Sequence, residues 1–123
     1  MHLAYREFQR LLEQALTGLP PEFQEALENV AILSQSWPSL EQIDLTGTND
    51  HYGLLGLYQG VSLPDRGSYD MVLPDTITLF RRPIQAQCRT RAELEAEVRT
   101  TLLHEIAHYL GWGEEEMRRL GVE

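Results

Sequence analysis

Two histidines and a glutamate near the C-terminal end of the chain have the types and the spacing needed for metal-assisted hydrolysis. They are His104, Glu105 and His108, in the pattern HExxH. Because a helix turns by about 100° per residue, the two histidines lie on one face and can bind one metal ion. Glu105 lies beside them, where a carboxylate can take a proton from a metal-activated water as that water attacks a carbonyl carbon.

The residues around the motif predict an amphipathic helix packed on a core. Apolar side chains recur at four-residue spacing, and two more widen the stripe: Leu94, Val98, Leu102, Ile106 and Leu110, with Leu103 and Ala107. Thr90 is the predicted N-cap, and Glu93 is expected to complete a capping box. The histidines then lie on a face beside the buried stripe. The alternative is that they are solvated and bind no metal.

The third metal ligand depends on the segment after His108. In a continuous helix, Glu114 would lie about 9 Å further along the axis than His108, too far to share an ion. Gly111 can adopt a left-handed conformation that ends the helix and turns the chain back. Glu114 is then the first candidate and Glu115 the second, unless these acids only complement the dipole of a short terminal helix. His51 is a further candidate, although an isolated loop histidine is more often solvated.

The rest of the chain divides into short elements. The patterns predict a helix over 3–17 ended by Gly18, a second helix over 21–27, a strand over 30–33, an irregular connection over 38–53, a strand over 54–60, a loop over 61–74 and a strand over 75–84. The glycines of the 54–60 strand indicate close backbone approach or an edge position. Pro83 limits pairing of the last strand and favours an edge or a strand end.

Length and composition exclude several classes of protein. A chain of 123 residues, 42% hydrophobic and 24% charged, is expected to form a single domain over residues 1–123. Its net charge of −9 argues against nucleic acid or an anionic membrane as the main partner. No apolar run approaches the roughly eighteen residues of a membrane helix, and no secretory leader is evident. The lone Cys88 agrees with a reducing compartment, so a cytoplasmic protein is expected.

The sequence also resembles a family of small bacterial proteins, the minimal zincin-like metallopeptidases, which share HExxHxxGxx(D) with the metzincins. The resemblance covers most of the chain and rests on three stretches, 54–61, 73–84 and 104–111. It implies an α+β fold in which a small mixed sheet of about three to four strands packs against helices. It also implies an active-site helix with zinc bound by His104 and His108, and Glu105 as the base. Glu114 occupies the position of the family's usual aspartate.

These observations together predict a zinc-dependent peptidase. Its ligands would be His104, His108 and Glu114, with one coordination position left for water. A peptide or protein substrate is expected along an exposed sheet edge, either 54–59 or 76–81. Tyr58 and Tyr69 are candidates for stabilising the oxyanion, unless they are simply half-buried aromatic residues. The alternative is a zincin-like metal-binding or protein-interaction domain with little or no peptidase activity.

Overall fold

The computed structural model describes residues 3–47, 52–60 and 75–119. Within these ranges the chain forms six helices and three strands. In chain order they are α1 (Tyr5–Thr17), α2 (Pro21–Ala26), β1 (Val30–Gln35), α3 (Leu40–Thr46), β2 (Gly56–Gln59), β3 (Asp75–Phe80), α4 (Arg81–Ala86), α5 (Arg91–Leu110) and α6 (Glu114–Arg119). The fold is therefore α+β, as the resemblance implied. None of the helices in these ranges has both the length and the apolar character needed to span a bilayer.

The three strands form one mixed sheet in the order β1-β3-β2. Strand β1 pairs with β3 in parallel, so that Ile32 lies opposite Ile77, and β2 pairs with β3 antiparallel, so that Tyr58 also lies opposite Ile77. Strand β3 is thus central. The prediction that 76–81 lies at an edge is wrong, whereas 54–59 contains β2, which is an edge strand of the sheet that the described residues form.

The main core lies between the sheet and the helices α1 and α5. Alternation along β3 directs Ile77 and Leu79 into this core. Phe8 and Leu12 of α1 and the stripe of α5 close it. The other face of β3 carries Phe80, which packs with Ile43 of α3 and with Leu54. Burial of the α5 stripe holds this helix in place against the sheet.

Helix α3 lies within residues 38–53, where an irregular connection was predicted, so that prediction is wrong for its middle. Ser39 forms a capping box with Gln42, and Gly47 ends the helix with φ 74°. Only Ile43 of this helix is buried, so no sustained apolar period was present to reveal it.

The predicted strand over 75–84 ends at Phe80, because α4 begins at Arg81. Pro83 is compatible with this helix, since it lies in the first turn, where a backbone N–H has no intrahelical acceptor. Arg81 is buried and donates hydrogen bonds to the carbonyl oxygen of Leu3 and the hydroxyl of Ser36. Burial, followed by the charge of Arg82, lowers the pKa of Arg81. These contacts join α4 to both the N-terminal segment and the end of β1.

Candidate metal centre

Thr90 caps the N-terminus of α5, the helix that carries the motif, as the sequence predicted. The hydroxyl of Thr90 accepts a hydrogen bond from the backbone N–H of Glu93 at 3.1 Å. The capping box is only half formed, because the Glu93 carboxylate accepts from the N–H of Arg89 and not from that of Thr90. The helix then runs for 20 residues. The motif therefore lies in its last two turns.

The structure brings His104, Glu105 and His108 together on this helix. Their potential ligand atoms all lie within 4.8 Å of one another, and the two imidazole ring centroids are 4.6 Å apart. The His108 side chain is 47% exposed, whereas that of Glu105 is 8% exposed. The cluster thus has accessible nitrogen donors beside a buried carboxylate.

Two groups hold the Glu105 carboxylate. Its Oε1 accepts a hydrogen bond from the backbone N–H of Tyr58, at 2.9 Å, and lies 3.2 Å from His108 Nδ1. An imidazole that donates from Nδ1 to this oxygen presents an unprotonated Nε2 when the ring is neutral, which is the form that binds metals. The hydrogen bond to Glu105 raises the pKa of His108 against the opposing effect of partial burial. The motif alone did not reveal that an edge-strand N–H positions Glu105.

Gly56 allows strand β2 to lie this close to α5. A Cβ at this position would lie 2.8 Å from Thr101 Cγ2 and 3.2 Å from Glu105 Cγ. Carbon atoms at optimal separation are about 3.5–4.0 Å apart, so only glycine fits without displacement. The predicted close approach is confirmed here, and the strand also lies at the sheet edge.

The chain turns immediately after α5. Gly111 adopts φ 75°, and the backbone N–H groups of Gly111 and Trp112 donate to the carbonyl oxygens of His108 and Ala107. This is a Schellman motif, in which a left-handed residue ends a helix. Trp112 packs edge-to-face against Phe23, with ring centroids 5.7 Å apart. The continuous straight helix, which would have removed the third ligand, does not form.

The candidates for the third ligand lie largely outside what the structure describes. Helix α6 begins at Glu114, directly after the turn, but the side chain of Glu114 is outside the described residues, and so is all of His51. Glu115 is described and is exposed. The ligation by Glu114 therefore stays a prediction, and the end of α5 at Gly111 meets the one condition that it required.

Of the two tyrosines considered for oxyanion stabilisation, the structure describes only Tyr58. The Tyr58 hydroxyl donates to Asp75 Oδ2 at 2.6 Å, and its ring packs edge-to-face against Tyr109 at 5.7 Å. The Tyr58 hydroxyl is thus already hydrogen-bonded to Asp75, and the ring packs against the main core. Tyr69 lies outside the described residues.

The donor set fits a zinc ion. Two imidazoles on one helical face provide borderline-soft nitrogen donors, and a carboxylate from the next segment is a common third ligand where one position stays open. Glu105 is buried beside the two histidines and held by a backbone donor, which suits a group that acts on a neighbouring molecule.

Comparisons with known proteins agree with this architecture. Residues 27–122 match a protein family described as zincin-like metallopeptidases. A solved structure of a conserved hypothetical protein from Thermo thermophilus is similar in fold, with a TM-score of 0.54 and 24% sequence identity. The alignment covers 94% of this chain and 99% of that one. No curated protein matches this sequence.

Proposed function

This chain belongs to the zincin-like metallopeptidase family, and we propose that it is a zinc-dependent peptidase that hydrolyses peptide bonds. One observation carries the proposal. A buried glutamate, Glu105, lies between two accessible histidines whose donor atoms can share an ion, and a strand backbone holds its carboxylate in place.

Three residues would hold the zinc ion. His104 and His108 supply nitrogen donors from one helical face, and Glu114 would supply an oxygen from the segment after the Gly111 turn. Gly111 supports this assignment, because its left-handed conformation ends α5 and starts a new direction three residues before Glu114. A bound zinc ion would polarise the scissile carbonyl and lower the pKa of a water molecule.

Glu105 would perform the proton transfers. Its carboxylate accepts a proton from the attacking water as the new C–O bond forms, and then delivers that proton to the amide nitrogen as the C–N bond breaks. The products are a carboxylate and an amine. The Tyr58 N–H donates to Glu105 Oε1 and so orients the carboxylate before substrate arrives.

The substrate would be an extended peptide or protein segment beside the edge strand β2. Among the described residues this strand pairs with β3 on one side only, and Glu105 of α5 accepts a hydrogen bond from the Tyr58 N–H of the strand. An extended peptide along such an edge gains main-chain hydrogen bonds while its scissile bond faces the histidines.

Cleavage of a fluorogenic peptide library, with zinc content measured on the same samples, tests the proposal. Removing a general base costs about a hundredfold to ten-thousandfold in rate, so Glu105→Gln should lose cleavage to that extent while retaining one zinc per chain. Glu95→Gln is the matched control, because Glu95 is exposed on the same helix and pairs with Arg91. It should cleave like the wild type.

Two outcomes would reject parts of the proposal. If the wild type and Glu105→Gln are equally inert with zinc bound, the chain is a metal-binding or interaction domain and not a peptidase. If Glu114→Gln retains zinc as tightly as Glu115→Gln does, Glu114 is not a ligand.

A further inference from the structure

A cavity of about 330 Å³ lies directly beside the metal centre. One wall comes from the start of β2 and the residues before it, including Leu55 and Gly56. The other wall is one face of α5, where Glu97, Thr101, His104 and Glu105 follow each other along the helix. His104 and Glu105 belong to both the cavity and the metal centre. Whatever enters the cavity therefore lies next to the reacting atoms.

The end of the cavity furthest from the histidines carries a negative charge. Glu97 lies seven residues before His104, on the same helical face and about 10 Å away along the axis. It is partly buried, and no cation in the described ranges forms an ion pair with it. Two neighbouring acids of α5 differ from Glu97 because they have partners. Glu93 accepts a hydrogen bond from the Arg89 N–H, and Glu95 forms an ion pair with Arg91.

We propose that this cavity receives a lysine or arginine side chain of the substrate, and that Glu97 is the residue that determines this specificity. This inference rests on the proposed function, since it names the substrate class of the same site. Leu55 lines the cavity and provides apolar surface for the stem of such a side chain, and Glu97 provides the partner for its charge.

The spacing favours a long side chain over a free α-amino group. One extended residue advances a peptide by about 3.3 Å, so an amino terminus next to the scissile bond would stay within a few ångströms of the histidines. It would not reach a carboxylate about 10 Å further along the helix. Lysine and arginine place their charge at the end of a long flexible stem, which covers this distance.

Peptide binding to the zinc-loaded Glu105→Gln protein tests the inference without requiring turnover. The probes are acetylated and amidated octapeptides that carry a single lysine, moved through every position of an alanine-serine background. Each has a matched peptide with norleucine in place of lysine. At one position the lysine peptide should bind about three- to tenfold more tightly, because the charge pair is partly sheltered from water. Arginine at that position should behave like lysine.

Charge reversal gives the sharper comparison. Adding Glu97→Lys to the same protein should reverse the preference, so that a glutamate peptide binds more tightly than the lysine peptide. Glu95→Lys makes the same charge change on an exposed part of α5 outside the cavity, and it should leave the lysine preference intact. Circular dichroism and thermal unfolding establish that each variant folds.

Equal binding of lysine and norleucine peptides at every position, or no binding of any probe, would overturn the inference. So would a lysine preference that survives Glu97→Lys. These results are distinct from failure of the proposed function. Selective binding without any cleavage by the wild type would reject peptidase activity but retain the cavity as a cation-selective peptide site. Cleavage without a preference for basic residues would retain the peptidase activity and reject the cavity as a cation-selective site.

Discussion

Replacing Gly56 by alanine should disturb the contact between the edge strand and the helix that carries the motif. The new methyl carbon would lie 2.8 Å from Thr101 Cγ2, and the structure offers little room for relief. Thr101 is buried and β-branched, so its side chain has few alternative rotamers. The methyl carbon would also lie 3.2 Å from Glu105 Cγ, so the same clash would disturb the Glu105 side chain.

Two opposing contributions determine the size of the effect. Overpacking of a well-packed site costs about 1–3 kcal/mol. Gly→Ala in a conformation that alanine tolerates stabilises by about 0.4–1 kcal/mol, because the unfolded chain loses freedom. The net loss in the free energy of unfolding should be about 1–2 kcal/mol, or roughly 4–8 °C in Tm for a domain of this size.

Chemical and thermal denaturation of a double-mutant cycle with Thr101→Ser checks this reasoning. The serine removes Cγ2, which should cost about 1 kcal/mol in the wild type through lost burial. In the Gly56→Ala background it should be neutral or stabilising, because it removes the clashing atom. Gly113→Ala is the control, since a Cβ there meets nothing within 4 Å. Additive effects of the two substitutions, or an undiminished stability of Gly56→Ala, would refute the close approach.

Three further predictions concern the ion and the two ends of α5. Zinc at about a hundred times its Kd should raise the free energy of unfolding by about 2.7 kcal/mol in a thermal-shift assay; a shift of the same size in His104→Ala would place the ion elsewhere. Gly111→Ala should destabilise by about 1–2 kcal/mol in urea because φ is 75°, with Gly111→Asn losing less; equal stability of all three proteins would contradict the left-handed turn. Thr90→Ala should lower the free energy of unfolding by about 1 kcal/mol, because the N-cap hydrogen bond is lost. Zinc affinity should not change, because Thr90 lies about 20 Å along the helix axis from His104. A large loss of zinc affinity would contradict that separation.

The sequence predicted the features that depend on regular spacing. The motif helix, its N-cap and the turn at Gly111 each have a local signal that tertiary contacts reinforce. Helix α3 was missed because only Ile43 is buried, and burial is what creates an apolar period.

Contacts between distant segments had no such signal. The N–H of Tyr58 and the carboxylate of Glu105 are 47 residues apart, and a backbone donor leaves no trace in residue type. The central position of β3 likewise depends on which strands flank it, which Pro83 alone does not determine. The cavity beside Glu97 follows from the same packing of β2 against α5.

The Schellman turn after α5 also bears on how quickly the centre would exchange its metal. The two histidines lie on a 20-residue helix whose apolar stripe is largely buried, whereas Glu114 begins a helix of which six residues are described. A helix that short is not stable alone and depends on the contacts that anchor it, and the packing of Trp112 against Phe23 is one of these. Peripheral segments of this kind open locally at a fraction of the free energy of global unfolding. If Glu114 is the third ligand, local opening of this segment would release one ligand from the ion. The lifetime of the bound ion would then depend on the contact between Trp112 and Phe23, although neither ring touches the ion.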